Sequence, residues 1–163
     1  MAKTAFAIAA HPDDIEFVMS GTMMRLRDAG YELHYMNVAD GCCGSTKYDA
    51  NETAEIRREE AITAAKYLGA TFHKSITHDL SIFYDRPTLA KLASVIRDVA
   101  PEIVLTHSLE DYMEDHINTA RLAVTAAFSR GMPNFPVIPP RDCLLYTSPS
   151  PRDATLSRMP SSA

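Results

Sequence analysis

The sequence lacks three features that mark common functional classes: a surplus of basic residues, a long hydrophobic run and a set of paired cysteines. The 163 residues carry a formal net charge of −5, which gives no electrostatic basis for binding nucleic acid or an anionic membrane. No apolar run approaches the length of a membrane-spanning helix. We therefore expect one globular domain with its own hydrophobic core, no nucleic-acid partner and no membrane span.

The three cysteines do not form a disulfide framework, because Cys42 and Cys43 are adjacent and Cys143 lies in an unusual C-terminal segment. Such usage is typical of the reducing cytoplasm. The apolar stretch near the N-terminus is short and ends in His-Pro-Asp-Asp, which is unlike a secretory signal peptide. The sequence therefore predicts a cytoplasmic protein.

The segment from Ala10 to Glu16 reads A-H-P-D-D-I-E and directly follows an apolar run that predicts a buried strand. Side chains just past the end of a parallel strand lie where open α/β sheets bind their ligands. His11 and Asp14 are residue types that hold divalent metals, and Asp13 between them is a candidate base. The competing interpretation is a turn whose acids only favour the N-terminus of the next helix, within a purely structural domain.

Predicted strands and helices alternate along the chain. The strands are expected at about residues 4–10, 31–39, 71–76 and 103–106, and the helices at about 20–29, 52–68, 87–99 and from near 116 onward. This alternation predicts the α/β class, as a three-layer Rossmann-like fold with a mostly parallel sheet. In the common strand order 3-2-1-4-5, the first and fourth strands are neighbours.

That strand order brings two distant polar loops to one crevice. The first loop contains His11 and Asp14, and the loop after the fourth strand runs from His107 to His116. A dinucleotide site is excluded there, because the first loop lacks G-x-G-x-x-G and its carboxylates would repel phosphate. If His11, Asp14 and His116 bind one Zn²⁺, open positions remain for water and substrate, as in catalytic zinc sites. The expected reaction class is metal-assisted hydrolysis of an amide or ester, with Asp13 as the base.

Several short motifs together match the pattern of a known family. They are A-H-P-D-D-I-E at residues 10–16, the Asp40-Gly41 turn, Arg57 and Glu60 before Ala61, Leu68-Gly69, and the segment from Asp111 to His116. In these motifs, over roughly residues 3–130, the chain resembles the PIG-L/LmbE family of zinc-dependent N-acetylglucosaminyl deacetylases.

The resemblance implies removal of an acetyl or other acyl group from the amide nitrogen of an N-acetylglucosamine-type substrate. The expected cofactor is Zn²⁺ and the expected partner is a small N-acyl sugar or glycoconjugate; a homo-oligomer is left open. The implied roles are zinc ligation by His11, Asp14 and His116, general base catalysis by Asp13, substrate contact by Arg57 and orientation of a ligand histidine by Asp115.

Met113 is a departure from the family pattern H-P-D-H, since the segment here reads M-E-D-H at residues 113–116. In the family, the first histidine helps to stabilise or protonate the tetrahedral intermediate, whereas methionine has no proton to donate. His107, Glu114 or a residue of the C-terminal part are candidates to replace it. The alternative function is therefore a metal-binding relative with lost or altered catalysis, in a sugar-binding or regulatory role.

The character of the sequence changes after Pro139-Pro140. Residues 141–163 are rich in serine and proline and lack periodicity, which predicts a disordered segment. This segment also resembles translated sequencing-adapter sequence, so we expect a non-native tail. Residues 1–140 then form a deacetylase domain truncated at its C-terminus, with residues 135–138 as a candidate start of a further strand.

Overall fold

Strands and helices alternate in the computed structural model, which describes residues 3–144. The strands are β1 (Thr4–Ala9), β2 (Glu32–Asn37), β3 (Ala70–His73) and β4 (Ile103–Leu105). The helices are α1 (Asp14–Val18), α2 (Ser20–Asp28), α3 (Ala50–Leu68), α4 (Arg86–Val99) and α5 (Glu114–Ser129). The predicted alternation is confirmed, and α1 is the helix that the sequence analysis did not predict.

The four strands form a parallel sheet in the order β3-β2-β1-β4, as the sequence predicted. β1 pairs with β2 on one side and with β4 on the other, where Ala7 lies opposite Leu105. All six residues of β1 are buried, which explains why this strand reads as a continuous apolar run. The carboxyl ends of β1 and β4 therefore lie side by side.

Hydrophobic side chains of β1 alternate between the two faces of the sheet. Phe6 and Ile8 pack with buried residues of α4 and α5. Ala5, Ala7 and Ala9 pack with those of α1, α2 and α3. The fold is thus the expected three-layer α/β arrangement, with helices on both faces of the sheet.

Helices α3 and α4 each begin with an aspartate N-cap. The carboxylate of Asp49 accepts a hydrogen bond from the backbone N–H of Glu52 at 2.9 Å, and Asp85 accepts one from Thr88 at 2.8 Å. Each bond satisfies a backbone donor in the first turn of its helix. Gly69, at φ 71°, ends α3 in the left-handed conformation that glycine tolerates.

The segment after α5 does not form a further strand within residues 3–144, so the candidate strand at 135–138 is wrong. Val137 is buried against α4 instead, and the backbone N–H of Ile138 donates to the carbonyl of Ala90 at 3.1 Å. The buried Arg97 of α4 holds the segment by donating to the carbonyl oxygens of residues 132, 135 and 141.

The predicted tail at residues 141–163 falls mostly on residues 145–163, which lie outside the described residues. Residues 141–144, the first four of the predicted tail, lie against the domain, where Arg141 Nε donates to Asp98 Oδ1 at 3.0 Å. Between residues 3 and 144, every helix falls short of the length and apolar content needed to cross a bilayer.

Candidate metal centre

Two loops meet at the carboxyl ends of β1 and β4. The loop after β1 supplies His11, the start of α1 supplies Asp14, and the first turn of α5 supplies His116. One potential ligand atom of each residue lies within 4.8 Å of the other two. Asp14 is central, since its Oδ1 is 3.5 Å from His116 Nε2 and its Oδ2 is 3.6 Å from His11 Nδ1. The structure thus brings together the three residues that the sequence analysis named as ligands.

Each of these two histidines has a second carboxylate at its other ring nitrogen. His11 Nε2 is 2.9 Å from Asp115 Oδ2, and His116 Nδ1 is 3.2 Å from Asp111 Oδ2. Carboxylates in this position fix the tautomer and ring orientation of a metal-binding histidine. Asp115 therefore contacts His11, not its sequence neighbour His116, and Asp111 is a site residue that the sequence analysis missed.

Asp115 connects three segments around the candidate metal centre. Its side chain is buried, and Oδ2 also accepts a hydrogen bond from the backbone N–H of Leu80 at 2.8 Å. The loop between β3 and α4 is thereby held against α5 and the loop after β1. A buried carboxylate with several donors is well satisfied, and the same contacts position His11.

The charges of the centre favour a cation. Burial alone would raise the pKa of Asp14, but its contacts with His107 and His11 and the charge of His116 hold that pKa well below its usual value. Burial alone would lower the pKa of His11, but hydrogen bonds with Asp14 and Asp115 raise it to about 9. In the metal-free protein His11 therefore carries a proton at neutral pH, and a metal ion has to displace that proton.

His107 lies beside Asp14, with its Nε2 3.4 Å from Asp14 Oδ2, and it forms a further group of potential ligands with Asp111 and His116. Its Nε2 accepts a hydrogen bond from the backbone N–H of Ala10 at 2.9 Å, so the lone pair of that nitrogen is occupied. The ring stacks on His116 with a centroid distance of 4.1 Å and an interplanar angle of 6°. His107 thus supports the orientation of His116 through this stacking contact.

Asp13 and Arg57 form an ion pair at the rim. Asp13 adopts φ 101°, which turns the chain into α1 and separates its side chain from that of Asp14. Arg57 Nη2 donates to Asp13 Oδ2 at 2.9 Å and to the carbonyl oxygen of Pro12. Gly41 and Gly44 make room for Arg57, since a Cβ atom at either position would come within 2.7 Å of its side chain.

A cleft with a volume of about 340 Å³ lies in front of the candidate ligands, and Met113 lines it. Tyr112 also lines it, with its ring 6.0 Å from that of His116, and is a residue that the sequence analysis did not single out. Neither His107 nor Glu114 is among the residues that line this cleft. His107 and Glu114, the two candidates from the sequence to replace the family's acid histidine, therefore do not face this cleft.

Comparison with known proteins gives one family match and several close relatives. The PIG-L family, described as GlcNAc-PI de-N-acetylase, matches residues 6–127. A 4-oxalmesaconate hydratase of Pseudomonas putida is 35% identical over an alignment of 132 residues, and the match covers 76% of this chain and 51% of that protein. A diacetylchitobiose deacetylase of Thermococcus kodakarensis is 32% identical over an alignment of 139 residues, and the match covers 82% of this chain and 52% of that protein.

A solved structure confirms the similarity in three dimensions. The N,N'-diacetylchitobiose deacetylase from Pyrococcus horikoshii, in complex with an inhibitor, matches with a TM-score of 0.77 at 31% identity. The match covers 82% of this chain and 52% of that one. The chain therefore spans about half the length of the curated relatives it matches.

Proposed function

The chain belongs to the PIG-L family, and we propose on this premise that it is a metal-dependent hydrolase that removes the acetyl group from an N-acetylglucosamine-type sugar. The observation that carries the proposal is the convergence of His11, Asp14 and His116 at the floor of a cleft. Two of the relatives described above are named as deacetylases of diacetylchitobiose, an N-acetylated sugar.

Zinc fits the donor set of this centre. Two imidazole nitrogens and one carboxylate are a catalytic zinc set, and both imidazoles carry the outer carboxylates that such ligands usually have. When bound, Zn²⁺ would polarise the amide carbonyl and make a coordinated water more acidic. His11 Nδ1, an Asp14 oxygen and His116 Nε2 are the atoms that we assign to it.

Asp13 is the residue to which we assign proton transfer. Its carboxylate lines the cleft, and its side chain is 53% exposed, so it is accessible to substrate and water. Arg57 orients that carboxylate through the 2.9 Å hydrogen bond to Oδ2. Because Met113 has no proton to give, we assign Asp13 both steps: it accepts the proton of the attacking water and returns it to the leaving nitrogen, which departs as the amine.

Arg57 is the residue that we assign to substrate contact. It is a fixed positive charge at the rim, and its Nη2 already points at an oxygen of the candidate base. An acetyl or hydroxyl oxygen of a sugar bound in the cleft would meet the same guanidinium group.

The proposal is tested by measuring amine release from N-acetylglucosamine and diacetylchitobiose with the zinc-loaded protein. Asp13→Asn should lower turnover at least about 100-fold, while the zinc content stays that of the wild type. Asp28→Asn is the matched control, since Asp28 is 71% exposed in a surface ion pair with Arg27, and it should retain activity. Retained activity in Asp13→Asn would exclude the role of Asp13, and failure of the zinc-loaded protein to release amine from either sugar would exclude the deacetylase.

A second candidate is a hydratase acting on an unsaturated carboxylic acid. The hydratase relative is 35% identical, and Arg57 supplies a cation at the cleft suited to a carboxylate. Adding water to a conjugated double bond removes its ultraviolet absorbance and releases no amine. The same protein preparation therefore distinguishes the two reactions. The alternative of a relative without catalysis is not favoured, because these relatives are named for enzymatic activities.

A further inference from the structure

A second group of metal-binding side chains lies outside the candidate catalytic centre, on the loops that follow β2 and β3. It consists of Asp40, Cys42 and His78, and one ligand atom of each lies within 4.8 Å of the other two. His78 Nδ1 is 2.6 Å from Asp40 Oδ2. We propose that these three residues form a second metal site, for a borderline-soft divalent ion such as Zn²⁺.

Backbone contacts hold the two loops in place independently of any ion. Asp79 accepts hydrogen bonds from the backbone N–H groups of Gly41 at 2.7 Å and Cys43 at 2.9 Å. A parallel bridge joins Ala39 to Thr77 just before these loops begin. Cys42 is thus presented toward Asp40, whose Oδ1 also accepts from the Cys42 N–H at 3.2 Å. The donor atoms are therefore gathered by the fold before an ion arrives.

The donor chemistry differs from that of the first centre. Cys42 adds a thiolate to one imidazole and one carboxylate, and thiolate ligands select zinc and softer ions over magnesium or calcium. His78 is 76% exposed, which leaves a coordination position open to water and a path for the ion to enter. A plain surface ion pair between His78 and Asp40 is the competing interpretation, and it needs no thiol.

The thiol of Cys42 becomes a ligand when it loses its proton to solvent on binding an ion, and the carboxylate of Asp40 beside it attracts a cation. Cys43 is a second thiol close by, with its Sγ 3.9 Å from that of Cys42.

Cobalt substitution tests the site, because only a thiolate ligand gives an intense sulfur-to-cobalt charge-transfer band in the near ultraviolet. The three candidate ligands of the first centre, His11, Asp14 and His116, include no sulfur and do not produce that band. The purified, metal-free protein is titrated with Co²⁺ under argon, and we expect the band to appear and saturate. Absence of the band in the wild type overturns the proposal.

Variants assign the band to its residues. Cys42→Ser should abolish it, and His78→Gln should weaken Co²⁺ binding at this site by at least about tenfold. Cys143→Ser is the matched control, since Cys143 is also a free cysteine and is not a member of the cluster; it should keep the band. A band that survives Cys42→Ser but disappears in Cys43→Ser overturns the assignment to Cys42.

The result of the cobalt titration does not depend on the proposed catalysis. His116→Ala removes a candidate ligand of the first centre and should leave the band unchanged. A band that disappears with His116→Ala, while circular dichroism shows a folded protein, would contradict a separate second site. Loss of deacetylation in that variant together with an intact band would support both assignments separately.

Discussion

His11 Nε2 lies 2.9 Å from Asp115 Oδ2, although the two residues are 104 positions apart in the sequence. This contact joins the loop after β1 to the first turn of α5, on the two sides of the candidate metal centre. Asp115 is 4% exposed, so water does not compete effectively for the interaction. The contact leaves Nδ1 of His11 directed at Asp14 and therefore determines which nitrogen is offered to a metal ion.

Replacing Asp115 with Asn should weaken zinc binding about 10- to 100-fold, the usual effect of removing an outer-sphere carboxylate. An asparagine oxygen can still accept the hydrogen bond from Leu80 N–H, so the fold should persist. Competition against a chromophoric chelator measures the affinity. The matched control is Glu114→Gln, which changes the adjacent, exposed carboxylate and should bind zinc as the wild type does. Equal affinity in both variants would contradict the role of Asp115.

The stability of the metal-free protein should depend on the charge of His11. Because the folded-state pKa of about 9 lies above the ordinary value of 6.5, the folded protein binds an additional proton between these values. The proton on His11 therefore stabilises the folded state, and this contribution to the free energy of unfolding is fully present below about pH 6.5 and is lost as the pH rises through 9. The pKa of Asp14 is shifted downward, so Asp14 stays ionised throughout this window.

Urea unfolding in the presence of a chelator, at pH 6.5 and at pH 9.5, measures this effect. We expect a lower free energy of unfolding at the higher pH, and a smaller difference for His11→Asn. A wild type and a His11→Asn variant with the same pH dependence would show that His11 is not the titrating group.

The strand order could be predicted from the sequence because β1 is apolar throughout and the helices between strands have clear ends. α1 could not, because it depends on the left-handed conformation of Asp13, which the A-H-P-D-D pattern does not reveal. The segment at 135–138 is apolar enough for a strand, but the buried Arg97 binds its carbonyl groups and packs it on α4. That interaction depends on tertiary structure alone.

The candidate ligands could be predicted because the topology places the ends of β1 and β4 together. The carboxylates that contact the two histidines could not be predicted, since the loop contains four acidic residues that the sequence does not distinguish: Glu110, Asp111, Glu114 and Asp115. Only the start of α5 at Glu114 determines that Asp111 faces His116 while Asp115 turns toward His11.

Gly41→Ala should destabilise the protein and displace Arg57. Gly41 adopts φ 78°, and an added Cβ would meet the Arg57 side chain at 2.7 Å. Strain of this kind costs about 1–3 kcal/mol. Urea unfolding measures the loss, and KM for an N-acetylated sugar reports the displacement of Arg57.

Gly21→Ala is the control for that substitution. Gly21 lies in α2 with nothing within 4 Å of an added Cβ, so alanine should stabilise the helix by about 0.5–1 kcal/mol. If Gly41→Ala were as stable as Gly21→Ala, the close approach of Arg57 to the loop would not be a constraint.

Met113→His should increase deacetylation without changing the zinc content. Met113 lines the cleft beside His116, so an imidazole there can protonate the leaving nitrogen and relieve Asp13 of the second transfer. A positioned acid contributes about 100-fold or more, and kcat/KM against N-acetylglucosamine measures the gain. Met24→His is the control, because Met24 is 42% exposed on α2 and belongs to no candidate site. If the wild type is active and Met113→His gives no gain, proton delivery by Asp13 does not limit the rate of deacetylation. Zinc-loaded wild type and Met113→His proteins that are both inactive would instead favour a relative that binds metal without catalysis.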